Sequence, residues 1–344
     1  AAAVSSEIGA SDGSEDKVRI YRTREERREA GLQRQLTPWL ALSGLVELEY
    51  LYRQFSLHDT SDSDGEEEAT KSLQLGLLFT PLPWMKAEVI YEYDDELNEH
   101  TIDEAIASFE ARDFELEVGR QNFPFGEYFS HFVTGPALEF GETRHDGATL
   151  SYGPDDRLDL SGFVFKGDAR STRPDASDWD WGLALEASPS ENMTFGLSYV
   201  SDLADAEEGL LEDEGNRHEN RVDGLSAYAL FGFDRFEVTA EVVSALDAFK
   251  ELEADQDRPW AWNLELALFP AESFEWALRV EGSRELEDEP KFRAGVGMAW
   301  RVMKNTTLQV EYLRGIYERG LAEDNREREI DKDHNFGAMI SVEF

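Results

Sequence analysis

From Leu40 onward, apolar and charged residues alternate with a period of two, in segment after segment. Val46-Glu47-Leu48-Glu49-Tyr50, Phe114-Glu115-Leu116-Glu117-Val118, Phe236-Glu237-Val238-Thr239-Ala240-Glu241-Val242, Phe274-Glu275-Trp276-Ala277-Leu278-Arg279-Val280-Glu281 and Leu308-Gln309-Val310-Glu311-Tyr312 all follow it. Successive side chains of a strand point to opposite faces, so each segment carries one apolar and one charged face. Segments of about ten residues start near 40, 69, 84, 100, 113, 145, 157, 179, 192, 221, 234, 259, 273, 291, 304 and 334. That is an even set of about sixteen, as a closed up-and-down barrel requires when both termini lie on one side.

The connections sort by parity. Tight links fall at Pro81-Leu82-Pro83, Ala111-Arg112-Asp113, Pro154-Asp155-Asp156, Pro189-Ser190-Glu191, Phe233-Asp234-Arg235, Pro270-Ala271-Glu272 and Met303-Lys304-Asn305. Between them lie mostly long, polar, acidic stretches: 56–68, 123–144, 168–177, 203–219, 249–257 and 316–333, with shorter ones near Asp95–Leu97 and Glu287–Glu289. Short turns on one side and long loops on the other are the pattern of a transmembrane barrel, with the turns periplasmic and the acidic loops extracellular. Aromatics gather at the strand ends, with Trp84, Phe114, Phe236, Phe274 and Trp300 near the tight turns and Tyr52, Tyr93, Trp179, Trp260 and Tyr312 near the loops. Such girdles belong at bilayer interfaces. The expected fold is therefore all-β: a transmembrane antiparallel up-and-down barrel over 39–344. Residues 1–19 read as a disordered end. Residues 20–38, with Arg22, Arg24, Glu25, Glu26, Arg27, Arg28 and Glu29, read as a short charged helix, periplasmic or lumenal, that stops before Pro38.

Composition excludes several alternatives. No apolar run approaches the roughly 18–20 residues of a membrane helix. The net charge of −41 leaves no basic footprint for nucleic acid, and the absence of cysteine removes disulfides and thiolate metal sites. About sixteen strands enclose a lumen wide enough for water, so the charged face is expected to point inward. That assigns Glu47, Glu49, Glu88, Glu92, Glu115, Glu117, Glu237, Glu241, Glu265, Glu275, Glu281 and Glu311 to the lumen, with Arg53, Lys86, Arg279 and Arg293 among them. Ionised groups in a dry core are costly, and carboxylate rings favour cations. A hydrated, cation-preferring passage is the expectation.

Catalytic motifs are missing: there is no phosphate-binding loop, dinucleotide fingerprint, His-Glu-x-x-His or nucleophile elbow. The six histidines lack ligand spacing, and only Ser130-His131 echoes a nucleophile–base pair; the chain reads as a non-enzyme with no resident cofactor. Asp59–Gly65 does not match an EF-hand, because Thr60 and Lys71 fall where the first carboxylate and the bidentate glutamate belong. A weak calcium site at Asp62, Asp64 and Glu66 is left as a candidate.

The stretch Phe123-Pro124-Phe125-Gly126-Glu127-Tyr128, running on to Glu142-Thr143, opens a loop too aromatic to be built for water. It is expected to fold inward as a constriction carrying Phe123, Pro124, Phe125, Gly126, Tyr128 and Glu142. Here the chain resembles a known family. Gly119-Arg120-Gln121-Asn122-Phe123-Pro124-Phe125-Gly126, followed by Gly141-Glu142-Thr143-Arg144, is similar to the LbtU-type siderophore porins, as is the opening strand Leu42–Tyr50. The resemblance implies a sixteen-stranded outer-membrane barrel tied to uptake of iron–siderophore complexes; family members carry a longer N-terminal coiled coil than the charged stretch at 20–36. Three readings stay open: a cation-preferring channel for small solutes or metal complexes; a receptor plugged by residues 1–36; and a structural or adhesive barrel whose acidic loops bridge divalent cations to lipopolysaccharide. A homotrimer is an expectation by analogy alone.

Overall fold

A computed structural model of the chain describes residues 32–58, 63–95, 99–155, 157–172, 178–206, 210–211, 215–252, 256–324, 326 and 328–344. Among them are nineteen strands: β1 (Arg34–Thr37), β2 (Leu40–Leu57), β3 (Ser63–Leu82), β4 (Met85–Asp94), β5 (Glu99–Ala111), β6 (Phe114–Asn122), β7 (Arg144–Asp155), β8 (Leu158–Lys166), β9 (Arg170–Ser171), β10 (Trp179–Ser190), β11 (Met193–Val200), β12 (Arg217–His218), β13 (Gly224–Gly232), β14 (Phe236–Ala245), β15 (Trp260–Ala271), β16 (Phe274–Arg284), β17 (Phe292–Met303), β18 (Thr306–Ile316) and β19 (Ile330–Glu343). Helical content among these residues is limited to two single 3-10 turns, Glu139–Gly141 and Leu203–Asp205. No helix among them is long and apolar enough to cross a membrane.

Sixteen strands close into one antiparallel barrel. Each pairs with the next along the chain, and β19 returns to β2 with Asp333 opposite Phe55 and Ser341 opposite Glu47. The two-residue strands β9 and β12 stand apart and pair with each other in parallel above the loop end. Closure is completed at the other end, where Phe344 N donates to Gly44 O at 2.9 Å and Gly44 N donates to Phe344 O at 2.8 Å. That same end carries the tight turns. In the turn between β5 and β6, Arg112 adopts φ 58°, the left-handed conformation that a two-residue hairpin link demands.

The period-two pattern sets the faces. Leu48, Tyr50, Leu116, Leu150, Leu183, Trp276 and Val310 stand exposed on the outside, while Glu237, Glu265, Glu281 and Glu311 on the opposite parity are buried inside. An outward face this continuously apolar is a liability in water and a fit to hydrocarbon.

Two expectations change. β3 starts at Ser63 rather than near 69, and β19 at Ile330 rather than near 334; Ser63–Glu68 and, after Ile330, Asp331–Asp333 are polar on both faces, so alternation cannot reveal them. The expected 20–38 helix is also corrected where it can be seen. Arg34–Thr37 is a strand, with Arg34 opposite Leu42 and Thr37 opposite Leu40, because the edge of β2 below Gly44 is left open by the end of β19 and its backbone groups need a partner. Residues 1–31 lie outside the described residues.

Candidate functional site: a lumen loop held on a carboxylate ledge

The segment 123–143 between β6 and β7 turns into the barrel. Two glycines make the turn feasible. At Gly119, with φ 139°, a Cβ would stand 1.9 Å from Ala105 O. At Gly126, with φ 87°, a Cβ would meet the Tyr128 ring at 2.6 Å and Glu241 Oε1 at 2.8 Å. Phe123 stacks on both Phe163 and Phe165, with centroids 5.3 and 5.0 Å away. Phe125, Leu138 and Phe140 join the same buried cluster with Val200, Val243 and Ala261. Burying rings of this size supplies about 1.5–3 kcal/mol each, which seats both ends of the loop.

The middle of the loop has no ladder partner, and its backbone N–H groups are met by glutamates on the facing wall. Glu241 (β14) accepts from Glu127 N at 2.8 Å and from Tyr128 N at 2.9 Å. Glu265 (β15) accepts from Ser130 Oγ at 2.9 Å and from His131 N at 2.8 Å. Glu311 (β18) accepts from Val133 N at 2.6 Å and from Thr134 N at 3.1 Å. Glu281 (β16) accepts from Ala137 N at 2.8 Å. Hydrogen bonds to a charged acceptor are worth about 1.5–3 kcal/mol, so this row of carboxylates acts as a ledge on which the loop hangs.

Three cations balance the ledge. Arg279 (β16) donates from Nε to Glu265 at 2.8 Å and from Nη1 to Thr134 O at 2.8 Å and Gly135 O at 3.1 Å, and it also bonds Ser130 Oγ. Its Cζ lies 4.4 Å from the centre of the Phe132 ring. Arg293 (β17) donates to Glu281 at 2.5 Å and to Gly135 O at 3.1 Å. His131 places Nδ1 2.6 Å from Glu275 and Nε2 3.5 Å from Glu237. Burial opposes its charge, but the two carboxylates outweigh burial and hold its pKa up to about 9. The Tyr128 hydroxyl is pushed well above its ordinary range by burial and by Glu241, Glu142 and Glu139.

The raised His131 pKa gives a sign for pH. An imidazolium favoured in the folded state contributes stability that is whole below about 6.5 and lost as pH rises through about 9. The expected result is a fall in the unfolding midpoint of the wild-type barrel in detergent across that window, on the order of 3 kcal/mol at most. His131→Gln should lack that part of the slope. Parallel pH profiles for the two chains would refute the assignment.

The expected lumen residues therefore divide. Glu47, Glu49, Arg53, Lys86, Glu88, Glu92, Glu115 and Glu117 lie on the inward parity of β2, β4 and β6 and are partly or fully exposed. Glu237, Glu241, Glu265, Glu275, Arg279, Glu281, Arg293 and Glu311 share that inward parity but sit under the loop, buried except for the half-buried Glu241. For this second set the expectation of a hydrated lining is corrected: loop N–H groups, Arg279, Arg293 and His131 take the place of water. The expected loop residues Phe123, Pro124, Phe125, Gly126, Tyr128 and Glu142 all belong to the inward fold, with Phe123 and Phe125 buried in it.

The Ser130-His131 echo is not a nucleophile–base pair: Ser130 Oγ is directed to Glu265 and the His131 ring to Glu275. Of the loop site at Asp62, Asp64 and Glu66, only part lies among the described residues. Asp62 lies outside the described residues, while Asp64 Oδ2 pairs with Arg328 at 2.8 Å and Arg326 at 3.1 Å. Sequence reasoning missed Ser130, His131, Phe132 and Thr134 as anchors. Their one signal was their place midway in an aromatic loop.

The fold and this inward loop define a closed sixteen-stranded antiparallel barrel with one loop folded into its interior. No protein-family model matches the sequence, and no curated protein is similar enough to place it. Among solved structures, the outer membrane channel DcaP of Acinetobacter baumannii is similar at 16% identity and TM-score 0.63, over 89% of this chain and 97% of that one. The anion-selective porin from Comamonas acidovorans is similar at 11% identity and TM-score 0.64, over 89% and 99%. OmpF of Salmonella typhi is similar at 12% identity and TM-score 0.60, over 88% and 98%.

Proposed function

We propose that the barrel sits in a bacterial outer membrane, tight turns and termini on the periplasmic side, and passes small solutes, with a preference for cations. The observation that carries the reading is the sign of the groups around the remaining lumen. Across from the loop stand Glu47, Glu49, Glu88, Glu92, Glu115 and Glu117 with Arg53 and Lys86. On the loop itself, Glu127 is exposed and Glu139 and Glu142 are half-buried. Carboxylates on both sides of a narrow aqueous path raise the local concentration of cations. The barrel fold does not decide selectivity, since a porin described as anion-selective shares it; the lining does. Iron–siderophore or other metal complexes remain the proposed specialised cargo, on the resemblance around 119–126 and 141–144.

Planar-bilayer recording in a salt gradient tests the preference. A reversal potential of cation sign is expected, larger at low salt, where screening is weak, and reduced by Glu115→Gln with Glu117→Gln. Anion-sign reversal would reject the reading. A second reading, a lumen plugged by the N-terminal segment, is favoured by Leu32, which is buried and lines one cavity with Leu45, Gln74, Glu88 and Ile90. The same recording on a chain lacking 1–31 separates the two: unchanged conductance excludes the plug.

A further inference from the structure

At the loop end of the barrel, away from the ledge, three carboxylates converge in the interior. Asp180 opens β10, Asp202 follows β11, and Asp205 closes the 3-10 turn Leu203–Asp205. All three are at most 3% exposed, and their candidate ligand oxygens lie within 4.8 Å of one another. Four of their six oxygens are accounted for. Asp180 accepts from Ser201 Oγ at 2.9 Å and from Arg221 Nε at 2.7 Å and Nη2 at 3.2 Å. Asp202 Oδ1 accepts from Ala204 N at 3.1 Å, and Asp205 Oδ1 from Ala169 N at 2.7 Å.

Two oxygens are left over. Asp202 Oδ2 and Asp205 Oδ2 are buried without a hydrogen-bond partner. The groups nearest Asp202 Oδ2 are His218 Nε2 at 3.3 Å and Arg221 Nε at 3.7 Å. His218 is itself buried, and its Nδ1 has no partner. With all three carboxylates ionised, the one guanidinium of Arg221 would leave an excess of two negative charges. A buried carboxylate oxygen without a partner is costly.

We propose that Asp180, Asp202 and Asp205 form a binding site for one hard divalent cation of the calcium class. A calcium ion takes oxygen ligands at about 2.3–2.6 Å, so oxygens on opposite sides of it stand about 4.6–5.2 Å apart; the observed spread fits within that span. The ion's charge balances that of the three ionised carboxylates with Arg221, and it satisfies both orphan oxygens at once. Asp205 O also accepts from His145 Nε2 at 2.7 Å, and Leu203, Ala204, Ala169 and Val222 pack in the same apolar cluster as Phe123, Phe125 and Phe140. The cation therefore ties the start of β10 and the 201–206 segment to the seat of the lumen loop. This site shares no residue with the acidic stretch at 62–66.

The test uses the full chain folded in detergent, stripped with chelator, and does not depend on conductance. Equilibrium dialysis with calcium alone is expected to show about one more ion per chain for the wild type than for Asp202→Asn with Asp205→Asn at micromolar free calcium. Chelation should lower the unfolding temperature of the wild type and leave that of the variant unmoved. Equal binding and equal chelator response in the two chains would overturn the site. If the variant does not fold, terbium titration of the wild type decides. A saturable luminescence excited through Trp179 and Trp181 and displaced by calcium supports the site; its absence overturns it, as does displacement by zinc in preference to calcium, which would place His218 rather than oxygen at the ion.

Discussion

Glu241→Gln combined with Glu311→Gln will raise the single-channel conductance and make it fluctuate, while the barrel itself stays folded. Each glutamate presents two oxygens to loop donors: Glu241 to the N–H groups of Glu127 and Tyr128, Glu311 to those of Val133 and Thr134 and to the Thr134 hydroxyl. Glutamine keeps the shape but replaces one oxygen with an NH2, which turns a donor toward a donor. Each such conflict costs about 1–3 kcal/mol, so the pair weakens the seat of the loop centre by several kcal/mol. Neither glutamate pairs with Arg279 or Arg293, so no buried cation is stranded. The released segment should also become a substrate for chymotrypsin at Tyr128, Phe129 and Phe132. If conductance and cleavage both match the wild type, the ledge does not hold the loop.

How far that ledge could be read in advance shows where alternation stops being informative. Apart from the two-residue β9 and β12, which stand outside the barrel, the strands β4 to β18 start within about three residues of the positions read from period two and tight turns, because in each of them one face meets an apolar surround and the other does not. Ser63–Glu68 and Asp331–Asp333 escape that pattern because their polar residues occupy both faces. The inward parity of Glu237, Glu265, Glu275, Glu281 and Glu311 was legible for the same reason as the strands. What lies opposite them was not: a glutamate facing water and one facing a backbone N–H occupy the same register position. The loop's inward turn was legible from Phe123, Phe125 and Tyr128. Its receiving wall was not, since the anchors lie 113–178 residues further along the chain. His131 was set aside with the scattered histidines because Glu275, which holds it, is 144 residues away.

Arg279→Met will destabilise the barrel by about 3–5 kcal/mol, the largest single-site loss expected outside the sheet backbone. The guanidinium is buried completely, and it joins Glu265 on its own wall to Thr134 O, Gly135 O and Ser130 Oγ on the loop, with Phe132 against its face. Methionine fills much of the same volume, so the loss is electrostatic: Glu265 remains buried with its main counter-charge gone. Glu281 suffers less, because Arg293 stays at 2.5 Å. Arg279→Lys should recover only part of the loss, since a point charge with tetrahedral donors cannot reach a carboxylate and two carbonyls in the planar fork that arginine supplies. Adding Glu265→Gln to Arg279→Met should then cost less than the two single changes summed, because the stranded carboxylate is neutralised. Urea unfolding in micelles reads all four chains. A single-variant loss below about 0.5 kcal/mol, the ordinary range for a surface change, would mean that Arg279 is replaceable and that the loop is held by its apolar ends alone.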